Sequence, residues 1–410
     1  MTRSNTTAGP DSMITSVGTY LPPWGAARRR TPGLDEDAVT LCVAAGLAAL
    51  RSVDPADVGR VVLVSRDLPL IEGSNSAAVL AGLGLRADTE ICEVIGGAPA
   101  LLDALTGAAP GTLVIGADTS PAGAAAAYCG TSGAALTASG RITRSMPVVT
   151  RDAFGRRADY ADPRLVRVSG LGASLAQLDR SVPIAAAAGL AGRDAKSVCA
   201  TEPRDLPTEG SSAALFALAT LAELGQPAGQ MQRLLAVEQA TLGLADLGPG
   251  EINVQRDERA PRPVPSGTTA PGSEMSISLA AYERAFDAKL RLVAARCRRC
   301  GTLAYPHRYR CLGCGSEDAT DAVALPRDAE IYTLSTIHVP VPGLVSPYTI
   351  VVAELGDSGV RVTVRLTGAA AGSVGIGDRG RLVFRLVAVR SGVPDYGYAF
   401  LPDDDTEVTA

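Results

Sequence analysis

Cys297-Arg298-Arg299-Cys300-Gly301-Thr302-Leu303-Ala304-Tyr305-Pro306-His307-Arg308-Tyr309-Arg310-Cys311-Leu312-Gly313-Cys314 is the stretch on which the reading of this chain turns. Its spacing, Cys-x2-Cys-x10-Cys-x2-Cys, can offer four thiolates, from Cys297, Cys300, Cys311 and Cys314, to one tetrahedral zinc. Gly301, Gly313 and Gly315 suit the tight backbone reversals that aim two sulfurs inward from each knuckle. The other readings are two disulfides or four unrelated thiols. Disulfides need an oxidising compartment, to which nothing else in the chain points. With four cysteines already supplied, a zinc here has no open position for substrate, so it holds the fold and does not catalyse.

At 410 residues the chain is long enough for two or three domains, each able to bury a core. Aromatic residues make up only 4% of it, so the core is expected to rest on small aliphatic side chains and close approach of helices to strands. A net charge of −5 leaves no overall basic surface, which argues against nucleic acid or an anionic membrane as the main partner. No N-terminal stretch reads as a secretory signal and no apolar run is long enough to span a bilayer, so a soluble, cytoplasmic protein is expected. Cys42, Cys92, Cys129 and Cys199 lie scattered in apolar segments without metal spacing and read as small buried hydrophobes.

Working outward from the cysteines, residues 276–295 predict a helix, with Leu279, Tyr282, Phe286 and Leu290 at three- and four-residue spacing. Short strands are expected at 329–339, 348–355, 360–366 and 380–389, separated by Gly- and Pro-containing turns. Five or so strands in that length suggest a small barrel, for which the OB-fold is a natural candidate. Helix and zinc ribbon are thus assigned to 276–326 and the barrel to 327–403. The run 251–275, rich in proline and charge, reads as a linker, and 1–12 as a disordered polar tail. Residues 13–250 alternate helical patterns (35–50 with Asp35 as cap, 75–83, 98–105, 211–224) with apolar strands (61–64, 90–95, 113–117, 234–237). Such alternation predicts a layered α/β domain with sites at the carboxyl ends of its strands.

The order helix, rubredoxin-like zinc ribbon, barrel resembles the zinc-ribbon/OB-fold family that accompanies thiolases and hydroxymethylglutaryl-CoA synthases. The match is carried by Leu290-Arg291-Leu292, the cysteine knuckles with Tyr305-Pro306-His307-Arg308, Gly375-Ile376-Gly377-Asp378 and the tail Phe400-Leu401-Pro402. The preceding domain is similar to the thiolase superfamily, hydroxymethylglutaryl-CoA synthase above all. The residues concerned are Ile14-Thr15-Ser16-Val17-Gly18-Thr19-Tyr20-Leu21-Pro22, Val114-Ile115-Gly116-Ala117-Asp118, Pro147-Val148-Val149-Thr150-Arg151-Asp152 and Asp159-Tyr160-Ala161-Asp162-Pro163-Arg164. The resemblance implies a thiolase-like layered α/β domain, and acyl-thioester chemistry close at hand.

Synthases of this kind use a cysteine nucleophile, a histidine and a glutamate, and related condensing enzymes an asparagine. On that resemblance the nucleophile turn is Glu93-Val94-Ile95-Gly96-Gly97-Ala98-Pro99-Ala100, and the cysteine position falls on Val94 or, with a gap, Ile95. The histidine position falls on Thr201 and the asparagine position on Thr208, while the chain's two histidines, His307 and His338, lie in the C-terminal part. Asp67 stands near the place of the glutamate, one methylene shorter. Loss of acid/base groups alone typically removes factors of about 10² to 10⁴ in rate, so ordinary Claisen condensation is not expected. The leading expectation is an accessory or scaffold protein with a degenerate site. It would bind acyl-CoA or an acyl carrier protein, as a homodimer or with a catalytic thiolase-like partner, in a biosynthetic pathway such as polyketide assembly. Arg298 and Arg308, beside Arg299 and Arg310, would attract CoA phosphates or form a solvated face of the ribbon. The alternative is an active acyltransferase or carbon–carbon bond-forming enzyme using Cys92, Cys199 or Asp67. A third possibility, nucleic-acid binding by ribbon and barrel, is opposed by the lack of a cationic groove.

Overall fold

The computed structural model describes residues 13–144, 148–152, 156–160, 162–178, 182–199, 207–225, 230–272, 278–317, 319–342 and 344–403. The tail 1–12 and Thr201 lie outside the described residues. The chain divides into two compact units, one of 1–31, 44–68 and 88–261, the other of 32–43, 69–87 and 262–410.

The first unit is built on a ten-stranded sheet. Its strands are β1 (Met13–Leu21), β2 (Arg60–Val64), β3 (Glu90–Val94), β4 (Thr112–Thr119), β5 (Ala122–Gly130), β6 (Ala134–Ile142), β7 (Ile184–Ala188), β8 (Gln232–Glu238), β9 (Thr241–Leu247) and β10 (Asn253–Glu258). Their order is β7-β8-β9-β6-β1-β5-β4-β2-β3, with β10 parallel on β1 from Ser16↔Asn253 to Leu21↔Glu258. The segment read as a linker, 251–275, therefore contains a sheet strand. Its alternation is masked by charge: Arg256 is held by Glu223 and Glu258, both at 2.6 Å, which lets polar side chains line a paired strand.

Helices lie on both faces. Helix α1 (Ala38–Ala49) is capped by Asp37, not by Asp35 as expected. Thr40 N–H donates to Asp37 Oδ1 and Asp37 N–H to Thr40 Oγ1, both at 2.9 Å, the reciprocal pair of a capping box. At Gly18 of β1 a Cβ would fall 2.6 Å from the carbonyl oxygen of Ala45, so α1 meets the sheet at backbone distance. Opposite, α3 (Ala98–Thr106) and α4 (Ala213–Leu224) pack Leu101, Leu102, Leu215 and Leu218 against Val62, Val64, Val114 and Ala125. Helix α2 (Ser76–Leu83) belongs to the other unit.

In the second unit, helix α5 runs from Leu279 to Arg291, with Ser278 Oγ accepting from Ala281 N–H at its start. The sequence predicts this helix to 295, but Leu292 turns left-handed (φ 52°), and Val293–Cys297 becomes β11 of a three-stranded ribbon with β12 (Leu303–Ala304) and β13 (Thr320–Ala324). Leu290 and Leu292 are both buried by that reversal, which a continuous helix would point in different directions. Then follow β14 (Asp328–Ile337), β15 (Tyr348–Leu355), β16 (Arg361–Leu366), β17 (Arg379–Arg390) and β18 (Val393–Pro402), closed in the order β14-β15-β16-β18-β17. The layered α/β region, the four-cysteine ribbon and the five-stranded barrel expected from the sequence are all present, in that order.

Two segments from early in the chain pack into this second unit. Glu36 meets Arg385 at 3.1 Å, Tyr396 OH donates to Asp37 Oδ2 at 2.7 Å, and Leu386 N–H donates to the Asp35 carbonyl at 2.9 Å. Arg327 and Arg291 donate to the carbonyls of Gly82 and Leu85, each at 2.8 Å. Among the described residues no helix is long and apolar enough to cross a membrane.

Candidate functional site

The first candidate centre lies at the carboxyl ends of β2 and β4. Strand β2 runs straight into Ser65, Arg66 and Asp67, so a buried apolar strand delivers two charges together. Asp67 turns inward through its N–H, which donates to Ser65 Oγ at 3.0 Å. Its Oδ2 accepts from Thr119 N–H (2.8 Å) and Thr119 Oγ1 (2.9 Å), and its Oδ1 from Arg151 (2.5 Å). With the side chain only 7% exposed, both carboxylate oxygens are taken by donors within the protein. A general base needs a lone pair in reach of its proton; here three of the roughly four lone-pair sites are in use.

Beside it, Arg66 is paired with Glu238 at the end of β8, at 2.6 Å. A Cβ on Gly97, in the turn before α3, would lie 2.6 Å from Glu238 Oε1, so the carboxylate rests directly on that turn. Asp118, one residue before Thr119, accepts from Ser211 N–H (2.9 Å), Ser212 N–H (2.8 Å) and Ser212 Oγ (2.6 Å) just ahead of α4. Burial pushes the Asp118 carboxyl up to about 6, against the pull of these hydrogen bonds, and the charge on Asp67 adds to the rise.

The positions that the resemblance assigns to a nucleophile carry apolar side chains in different surroundings. Val94, the last residue of β3, packs on the cluster formed by α3 and α4, whereas Ile95 is 72% exposed. Cys92 shares the face of β3 with Val94 but sits two residues, about 7 Å, further back from the turn. Cys199 ends a short helix and donates its thiol to the Ala195 carbonyl at 2.9 Å. Thr208, at the asparagine position, gives its carbonyl to Gly189 N–H. The sequence reading missed Arg66, Thr119, Arg151 and Glu238 as neighbours of Asp67. The adjacent charges Arg66-Asp67 after an apolar strand were the available signal.

The second centre is the ribbon. Gly301 N–H donates to the Cys297 carbonyl (2.8 Å) and Gly315 N–H to the Cys311 carbonyl (3.0 Å), with both glycines left-handed at φ 77° and 73°. The two knuckles are therefore near copies. Cys297 and Cys314 sulfurs stand 3.8 Å apart, Cys300 and Cys311 sulfurs 3.5 Å, and all four lie within 4.8 Å of one another. A disulfide requires about 2.05 Å, whereas four thiolates at about 2.3 Å from one zinc stand about 3.8 Å apart. The donor set and spacing fit a structural zinc, and the disulfide alternative does not fit. Of the expected phosphate-binding arginines, Arg298 is paired with Asp321 at 2.7 Å, while Arg308 is exposed and has no carboxylate partner among the described residues.

Two domain families match this region: the ChsH2 rubredoxin-like zinc ribbon domain over 287–319 and the ChsH2 C-terminal OB-fold domain over 322–385. A DUF35 domain-containing scaffold protein of Methanocaldococcus jannaschii is 32% identical over 115 residues, 27% of this chain and 81% of that protein. The chain belongs to the DUF35 family. A second DUF35 domain-containing scaffold protein, from Methanothermobacter thermautotrophicus, is 30% identical over 27% of this chain and 86% of its own length. Among solved structures, the Ltp2–ChsH2(DUF35) aldolase is similar at 26% identity over 33% of this chain and 98% of that one, with a TM-score of 0.25. A variant of OleA from Xanthomonas campestris is 16% identical, covering 58% of this chain and 98% of that one, with a TM-score of 0.47. The hydroxymethylglutaryl synthase of curacin biosynthesis is 14% identical over 59% of this chain and 80% of its own, with a TM-score of 0.45.

Proposed function

We propose that this DUF35 protein is an acyl-thioester-binding accessory subunit with a degenerate condensing site, acting as a scaffold for a catalytic partner. The observation that carries the reading is the state of the polar groups around Asp67. Arg151 and Thr119 occupy the Asp67 carboxylate, Arg66 and Glu238 occupy each other, and Val94 packs, partly buried, against the core. Among the described residues no group there is both nucleophilic and free, and both histidines of the chain lie in its C-terminal part. The DUF35 relatives named as scaffold proteins support the partner role.

The ligand on this reading is a CoA thioester or an acyl carrier protein, with Arg308 and, after release from Asp321, Arg298 meeting phosphate. Strand β3 ends the order of the large sheet, so its outer edge offers unpaired backbone to a second copy or to a thiolase-like partner. A zinc held by four reduced thiolates suits the cytoplasm. Intact-protein mass spectrometry after incubation with acetyl-CoA and acetoacetyl-CoA tests the reading. The expected result is one zinc per chain, retained CoA and no acyl adduct. A stoichiometric adduct on Cys92 or Cys199 would refute it and make the chain a working acyltransferase with a moved nucleophile.

A further inference from the structure

The barrel closes unevenly. Strands β16 and β18 pair only at Arg365↔Ala399 and Leu366↔Phe400, whereas β17 and β18 pair along ten positions from Gly380↔Pro402 to Arg390↔Val393. The residues of β16 before Arg365 therefore stand away from β18, and a slot opens between the two strands. Helix α5 and Tyr305-Pro306 of the ribbon border it, leaving a cavity of about 650 Å³. Its walls are mainly apolar, with Val362, Val364 and Leu382 from the barrel and Ala285 and Ala288 from the helix. That volume and lining are those of a small-molecule site, which is typically an apolar cavity with a few placed polar groups.

Three cations line this slot, and two are already spent. Lys289 is paired with Asp395, which also takes Arg390 at 3.1 Å. Arg361 is paired with Glu354 at 2.7 Å and lies over the Tyr332 ring at 3.4 Å. Arg365 differs. One of its terminal nitrogens donates to the Val387 carbonyl at 2.8 Å, which fixes the guanidinium, and no carboxylate pairs with it among the described residues. Tyr305 and Tyr398 turn their hydroxyls onto the carbonyls of Ala288 and Leu290, at 2.8 and 2.9 Å, so neither competes for an acid in the slot. A partly buried guanidinium without a counter-ion, beside an apolar cavity, selects a ligand with an oily body and one anionic head.

We infer that the slot between β16, β18 and α5 binds a monoanionic amphiphile, its acid group on Arg365 and its chain along Val362, Val364 and Leu382. This site is separate from the ribbon arginines and does not depend on the acyl-thioester reading. Carboxylate and singly ionised phosphate are the two head groups that fit, since both take the guanidinium fork.

Titration calorimetry on the full chain with dodecanoate, dodecyl phosphate and dodecanol tests the inference. Dodecanoate or dodecyl phosphate is expected to bind one per chain, and the tighter of the two identifies the head group. Dodecanol is expected to bind roughly 10- to 100-fold more weakly, the range for losing a hydrogen bond to a charged group. Arg365→Gln should weaken the anion by a similar factor, and Ala285→Trp should abolish binding by filling the slot. Equal binding of dodecanol and the two anions by the unmutated protein would overturn the inference without recourse to any variant. So would the absence of binding by either anion, or undiminished anion binding by a folded Arg365→Gln protein.

Discussion

Arg385→Met is the substitution expected to damage the second unit most, because it strands a charge. Arg385 and Glu36 have side chains only 3% and 2% exposed and meet at 3.1 Å. Water screens neither; Arg385 also faces Asp35 at 4.0 Å, and Glu36 relies on Arg385 for its short ion pair. Glu36 also accepts from Gly33 N–H at 2.7 Å, which satisfies one oxygen but neutralises nothing. Removing one partner of a buried pair typically costs about 3–5 kcal/mol, whereas removing both charges costs far less. The expected loss for Arg385→Met is therefore about 3–5 kcal/mol, and the double variant with Glu36→Gln should recover about half or more of it. In thermal terms a domain of this size loses roughly 2–4 °C per kcal/mol, so the single variant should melt some 6–20 °C lower. The assay exploits two local probes. Zinc release into a chromophoric chelator reports the unit that carries the ribbon, and fluorescence of Trp24, the one tryptophan in the chain and 7% exposed, reports the first unit. A single variant that loses less than about 1 kcal/mol, or a double variant no better than the single, would refute the claim that the segment around Glu36 is anchored through this pair.

Three further outcomes are expected. Elemental analysis should find one zinc per chain, lost in Cys297→Ser or Cys311→Ser together with the ribbon's protease resistance; a metal-free preparation with an equally resistant ribbon would count against the site. Asp118 has a folded pKa raised from 3.8 to about 6, so its contribution to stability is fully present below pH 4 and is lost as pH rises towards 6, by about 3 kcal/mol from a two-unit shift. Burial moves Asp37 in the same direction. Unfolding free energies at pH 4 and pH 7 should therefore differ less in Asp118→Asn than in the parent, and an unchanged difference would show that another group sets the slope. Gly18→Val should cost more than the roughly 1–3 kcal/mol of ordinary overpacking, because the obstacle is helix backbone 2.6 Å away, whereas Gly59→Ala, with nothing within 4 Å of its added carbon, should be nearly neutral. Equal midpoints for the two in urea would contradict the close approach of α1 to β1.

The ribbon and barrel were legible because their signals are local. Four cysteines at fixed spacing, with glycines in the left-handed positions of both knuckles, leave little freedom, and the strand Tyr348–Leu355 alternates cleanly enough to be placed residue for residue. The large sheet was only half legible. Strand β5 reads Ala122-Gly-Ala-Ala-Ala-Ala-Tyr-Cys-Gly130, fully buried yet composed of residues with little strand preference. Its conformation is set by neighbours: β1 pairs along one side and β4 along the other, and small side chains are what fit beneath tightly seated helices. The early segments 32–43 and 69–87 illustrate a second limit. Nothing in Gly33–Asp37 announces that Glu36 will meet Arg385, because a pair separated by hundreds of residues leaves no periodic trace.

The same contrast governs the candidate site. The sequence places valine and threonine at the positions that the thiolase resemblance assigns to a nucleophile and a base, and no histidine before His307. What became of the remaining charges was not readable there, because it depends on Arg151 and Glu238 reaching Asp67 and Arg66 from distant parts of the chain. A carboxylate in a partly buried site has two physical fates. It must be protonated, or it must be paired. Asp67 and Glu238 are paired, each with an arginine, and Asp118 is held by three protein donors at a raised pKa. Each arrangement offsets the desolvation of a charge held out of water. On the proposed reading these pairs stabilise the α/β unit, and the DUF35 module determines what the chain binds and where.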